Sequence, residues 1–271
     1  MEQALALSKG EQPDLKYQAA LCWLAAGKPG KALPLLRALS RNPNLPKGAR
    51  RAYIRALVLA GKPRQAEPLL RSLLKENPED HGIWRLAAWI YMEQKDYPRA
   101  AAALHVAYRL NPPNSGEWKR LGDLYRLSGV PMKAVDAYGK AFGPSPGARD
   151  LDLLAETYIA ANRMEKALAA AERAVRLKPT AKRWARLGDL CLKCRECRKA
   201  KSAFQQAARI DDRGGLMSLK EGYAAWQLQE MACAKDAFQK ALQHAAPKSD
   251  TARKASHALA AIRQITDAAQ N

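Results

Sequence analysis

An all-α solenoid of antiparallel helical hairpins is the fold class that this sequence predicts, and three observations carry the prediction. Alanine, mostly after a basic or polar residue, returns at Ala32, Ala66, Ala100, Ala134, Ala167, Ala200 and Ala234, at spacings of 34, 34, 34, 33, 33 and 34 residues, the mark of a repeat architecture. Apolar residues around each alanine follow the helical period rather than the alternation of a strand. Glycine and proline fall at regular intervals between these stretches, and the chain holds only three Phe, which argues for short packed helices over a β-rich fold.

The elements can be justified in order from the copy that runs Trp118, Leu121, Gly122, Tyr125, Ser128-Gly129, Ala134, Tyr138, Ala141, Pro146. Trp118, Leu121 and Tyr125 stand at i, i+3 and i+7 on one helix, and Gly122 is the small residue that lets a neighbouring helix approach. Ala134, Tyr138 and Ala141 form the same kind of stripe on a second helix. Gly27, Gly61, Gly129 and Asn162 stand where the first helix must stop on a left-handed residue, and Pro43, Pro78, Pro112, Pro146 and Pro179 close the second. One such hairpin cannot bury its apolar faces alone, so stability must come from stacking neighbours.

The preceding copy reads Trp84, Ala87, Ala88, Tyr91, Ala100, Leu104, Ala107, Pro112, and a later one Trp184, Leu187, Gly188, Cys191, Ala200, Phe204, Ala207, with Asp212 where the proline would be. This pattern resembles the tetratricopeptide repeat, whose signature is Trp, Leu-Gly, Tyr, Ala, Phe, Pro over 34 residues. The resemblance implies a right-handed α-α superhelix of seven repeats over 13–248, starting near Pro13, Lys47, His81, Ser115, Ala148, Ala181 and Gly215. Lys16, Arg50 and Ser218 replace the Trp in the first two repeats and the last, as terminal repeats commonly do. Residues 249–271 are expected to supply a capping helix, with Ala255, Leu259 and Ile262 on one side, and a tail. Residues 1–12 read as half of a second helix, which predicts a start inside a longer array or an excised piece of a larger protein.

Composition narrows the class. The 271 residues are 48% hydrophobic and 27% charged, which excludes wholesale disorder and collagen-like or disulfide-dense chains. No run approaches a membrane span, and Met1 to Gly10 lacks the basic start and apolar stretch of a signal peptide. As written, the chain is expected in the cytoplasm, with the periplasm as the alternative if it comes from a longer exported protein. No catalytic residue, cofactor or metal is assigned, and the chain is expected not to be an enzyme: the glycines are single, the four histidines are scattered, and no serine elbow occurs. The exception is Cys191, Cys194 and Cys197, with Cys233 one repeat on. Their spacing resembles an iron-sulfur run, yet Cys191 holds the buried Tyr place and Cys194 a small-residue place. A metal or redox site there is the third reading. Five cysteines, an odd number, favour reduced thiols; in a periplasmic setting a Cys194–Cys197 or Cys197–Cys233 disulfide would be an option.

In solenoids of this family the first helix of each hairpin lines the concave face. By register the places one, five and eight or nine after the Trp give Arg51, Arg55, Arg85, Trp89, Met92, Lys119 and Arg126. Five cations around an off-pattern Trp suit a protein or peptide partner with acidic groups. The subfamily that clamps acidic chaperone tails uses Asn on its inner helices, and the corresponding places here hold Leu21, Arg55, Trp89 and Asp123, so that clamp is not supported. Further on, Asp123, Asp152, Glu156 and Asp189 make the middle acidic. The last repeat offers Leu216, Leu219, Tyr223 and Trp226 as a second, apolar patch for a partner helix, a second copy or a missing neighbour.

The net charge of +20 is concentrated in two zones. Leu15–Ala66 holds eleven Lys or Arg and no acid; Arg173–Arg209 holds twelve against two. These zones supply the alternative reading, unspecific binding of nucleic acid or another polyanion such as acidic polysaccharide. The first reading remains a non-enzymatic scaffold or adaptor with a protein partner in its concave groove.

Overall fold

The structure is a computed structural model that describes residues 13–40 and 48–268. The expected N-terminal half-helix, the start near Lys47 and Pro43 lie outside the described residues. Fifteen helices and no strand occur among the described residues: α1 (Pro13–Ala25), α2 (Pro29–Leu39), α3 (Ala49–Leu59), α4 (Pro63–Glu76), α5 (His81–Glu93), α6 (Tyr97–Leu110), α7 (Ser115–Leu127), α8 (Pro131–Phe142), α9 (Ala148–Ala160), α10 (Met164–Leu177), α11 (Ala181–Lys193), α12 (Cys197–Ile210), α13 (Leu216–Gln227), α14 (Met231–His244) and α15 (Asp250–Ala268). They fall into two compact units, one ending at Val130 and one beginning at Pro131.

The local signals that start each helix are of two kinds. Asp80 caps α5 by accepting the N–H groups of Gly82 and Ile83, Asn114 and Glu117 form a reciprocal capping box on α7, and Thr180 caps α11. These side chains satisfy amide donors that have no partner inside a helix. Second helices α2, α4 and α6 instead carry proline in their first turn, where no N–H is needed. Each first helix ends the same way. Lys28, Lys62, Asp96, Val130, Arg163, Glu196 and Glu230 donate N–H to the carbonyl five residues back at 2.8–3.0 Å, the closing bond of a Schellman motif. The residue before each is left-handed: Gly27, Gly61, Lys95, Gly129, Asn162, Arg195 and Gln229.

In the first unit α1, α3 and α5 pack side by side, and α2, α4 and α6 each fill the seam between consecutive first helices. Ala20, Ala32, Leu36, Leu39, Ala52 and Ala56 form a continuous buried cluster there. In the second unit each helix from α8 to α15 packs on the next, and α15 also touches α13. The glycine places of the repeat prove tight. A methyl group on Gly188 would stand 2.5 Å from Phe204, and one on Gly222 would stand 2.5 Å from Phe238. Both phenylalanines are fully buried. Small residue and ring therefore fit as a pair, at the density of a close-packed interior.

Candidate interaction surface

The seven residues singled out as groove-lining stand on first helices of the first unit, Arg51 and Arg55 on α3, Arg85, Trp89 and Met92 on α5, Lys119 and Arg126 on α7, and the structure divides them. Arg51 and Arg85 are committed to neighbouring hairpins. The Arg51 guanidinium pairs with Asp80, the cap of α5, and Arg85 pairs with Glu117 in the first turn of α7. Arg85 also lies 5.4 Å over the Tyr108 ring, which meets Trp118 edge to face at 5.8 Å. These two arginines stitch the stack before they can serve any ligand.

The electrostatics agree with that assignment. Partial burial pushes the carboxyls of Asp80 and Glu117 up. The Arg51 charge and the Ile83 and Gly82 amides outweigh this for Asp80; the Arg85 guanidinium and the Asn114 amide do so for Glu117. Both carboxyls end below their usual range. Burial, with the Glu117 charge behind it, pushes the Tyr108 hydroxyl up to about 12, so it stays neutral.

Arg55, Lys119 and Arg126 are exposed, and none has an ion pair among the described residues. Trp89 and Met92 are half-buried on α5. Of the seven, three cations are thus exposed without an ion pair among the described residues and an indole and a thioether are half-buried, a smaller set than the register alone offered.

The acidic middle is altered more. Arg183 donates to Asp152 through Nε at 3.0 Å and Nη2 at 2.8 Å, Arg186 reaches Glu156 at 2.8 Å, and Lys220 holds both oxygens of Asp189 at 2.7 and 2.9 Å. In the second unit these carboxylates are neutralised by the next first helix and offer no free acidic strip. Sequence reasoning missed this pairing, although opposite charges separated by 29–32 residues carried the signal.

The second patch is also divided. Leu219 is buried, and Trp226 packs against Phe238 and the cluster that includes Ala255, Ala258 and Ile262 of α15. The terminal helix already covers that side, leaving Leu216 and Tyr223 exposed.

The cysteines are free thiols. Cys191 is buried; desolvation, aided by the Glu196 charge, pushes its thiol up to about 11, which makes it a poor thiolate donor. Cys197 Sγ donates to Gln227 Oε1 at 3.0 Å. Among the described residues no group of three or more His, Cys, Asp or Glu could hold a metal ion, so the three spaced cysteines do not converge. His105 meets the Tyr125 hydroxyl at 2.8 Å, a packing role. No described helix is long and apolar enough to cross a membrane.

These stacked helical hairpins define a helical-repeat protein, and comparison specifies which. Family models of the tetratricopeptide repeat match residues 52–115 and 151–180. No curated protein matches the chain. Among solved structures, the complex described as Naa15/Naa10 bound to HypK-THB is similar with a TM-score of 0.76 and 14% identity, over 93% of this chain and 39% of that one. The C-terminal part of a TPR repeat-containing protein from Cytophaga hutchinsonii is similar with a TM-score of 0.57 and 12% identity, over 88% and 98%. YrrB, described as a TPR protein with an unusual peptide-binding site, gives 0.50 and 18%, over 69% and 97%. The two matched segments are tetratricopeptide repeats, and the described hairpins share the fold of tetratricopeptide-repeat proteins.

Proposed function

We propose that the chain is a non-enzymatic interaction scaffold that captures an extended segment of a protein partner on the α3–α5–α7 face of its first unit. Each hairpin is read as one repeat within the bounds given by the sequence, with α15 as the cap. The observation that carries the reading is selective pairing. Arg51 and Arg85 are consumed in stacking, while Arg55, Lys119 and Arg126 stay unpaired among the described residues around Trp89 and Met92. Unpaired arginines beside an aromatic anchor fit a segment that alternates carboxylates with an apolar side chain. The peptide-binding site named for YrrB and the complex formed by Naa15 are consistent with such work in proteins of this fold.

The test is a displayed peptide library panned against the wild type and against a triple variant, Arg55→Ala, Trp89→Ala, Arg126→Ala. The wild type should enrich acidic peptides with one aromatic or aliphatic anchor. The triple variant should lose that enrichment and keep its helicity. Equal enrichment by the variant would refute the surface. Binding of RNA or heparin that collapses with salt and ignores the substitutions would transfer the function to the basic zones.

A further inference from the structure

A second site, separate from that face, lies in the second unit where the repeat pattern is broken at several packing places together. In the first unit the seam between α6 and α7 is closed by the Tyr108 and Trp118 rings. In the same register the α12–α13 seam has Ala208 and Ser218, and Glu221 stands in the place of Leu121 and Leu187. With two rings and a leucine gone, α12, α13 and α14 enclose a cleft of about 230 Å³, lined among others by Ala208, Arg209, Ser218, Glu221, Lys240 and His244.

The chemistry of the cleft is unequal from floor to mouth. Glu221 is only 8% exposed. Its Oε1 accepts a hydrogen bond from Gln205 Nε2 at 2.8 Å, whereas Oε2 has no hydrogen bond and no cation pairs with the group among the described residues. A carboxylate at a core leucine place is costly unless a positive group meets it. Asp212 beside it is already saturated. Its side chain is 3% exposed, accepts the Met217 and Ser218 N–H groups at 2.8 and 3.3 Å and the Ser218 hydroxyl, and faces His244 Nδ1 at 3.1 Å. Lys240 and Arg209 are exposed at the mouth and have no ion pair among the described residues.

We propose that this cleft binds a small zwitterion of the α-amino-acid class, its ammonium on the free oxygen of Glu221 and its carboxylate towards Lys240 and Arg209. A simple amine would satisfy the floor and be repelled at the mouth; a simple carboxylate would do the reverse. The volume lies below the roughly 300–1,000 Å³ of pockets for drug-sized ligands, which sets the scale at a single amino acid.

Thermal melts of the full chain with each common amino acid, with ethylammonium chloride and with sodium acetate test the proposal, calorimetry following any response. At least one amino acid should raise Tm by about 5 °C or more at hundred-fold excess over its Kd, and neither half-ligand should reproduce the shift. Glu221→Leu and Ser218→Trp each restore the residue of other hairpins and should abolish the response with helicity kept. If one variant loses helicity, the other carries the comparison. No response to any amino acid, full response to acetate or ethylammonium alone, or an undiminished response in a folded variant would each overturn the assignment.

Discussion

Two adjacent glycines before α13 offer an internally controlled experiment on how this fold is held. Gly214 and Gly215 are both left-handed, with φ of 89° and 70°. A methyl group on Gly214 meets nothing within 4 Å, whereas one on Gly215 overlaps the Ala241 carbonyl oxygen and stands 3.0 Å from its carbonyl carbon and Cα. Gly214→Ala should therefore cost only the left-handed strain, about 1 kcal/mol. Gly215→Ala adds overpacking of about 1–3 kcal/mol, towards the upper end because the obstacle is backbone of α14 and no rotamer can relieve it. The total is about 3–4 kcal/mol. At roughly 2–4 °C per kcal/mol for a chain of this size, the expected loss of Tm is roughly 3 °C for the first and roughly 10 °C for the second. Thermal and urea melts followed by far-UV circular dichroism measure both. Equal losses, or a greater loss at Gly214, would refute the reasoning, because the two positions differ chiefly in what lies beyond the new methyl.

Two further outcomes follow from the ion pairs and the thiols. Because Asp80 and Glu117 have folded pKa values below their ordinary ones, the stabilisation they bring is complete above the unfolded values near about 4 and disappears as pH falls through the folded values. An acid-side drop in first-unit stability should shrink in Arg51→Met and Arg85→Met; an unchanged drop would exclude these pairs as its source. Under native conditions a thiol-alkylating reagent followed by peptide mapping should label exposed Cys22 and Cys233 first and buried Cys191 last, the order collapsing in denaturant. Early labelling of Cys191 would contradict its place in the core.

The packing places of the fold were readable because each repeat must solve the same close-packing problem with the same residue types. Gly188 with Phe204 and Gly222 with Phe238 are instances of one rule. The left-handed turn was only partly readable. Gly27, Gly61, Gly129 and Asn162 announce it, but Lys95, Arg195 and Gln229 adopt φ of 59–62° with no chemical mark. There the backbone bonds of the motif impose the geometry, and the side chain merely tolerates it. The surface was harder still. Whether Arg51, Arg85, Asp152 or Asp189 is free depends on which residue of the adjoining hairpin faces it, a property of two registers at once. Leu219 and Trp226 show the same difficulty, since helical spacing groups them with Leu216 and Tyr223 and takes no account of α15.

The pairs between consecutive first helices impose a grammar on the order of the hairpins. Counted from the Trp place, Arg85 and Asp152 stand one residue after it, while Glu117 and Arg183 stand one residue before it. The first unit thus joins a forward cation to a following acid, and the second joins a forward acid to a following cation. A rearranged gene that set the α11–α12 hairpin directly after α5–α6 would keep every apolar packing place and bring Arg183 against Arg85. Hairpins that look interchangeable by their cores are keyed by their charges, and the array can be lengthened only by copies that respect the local polarity.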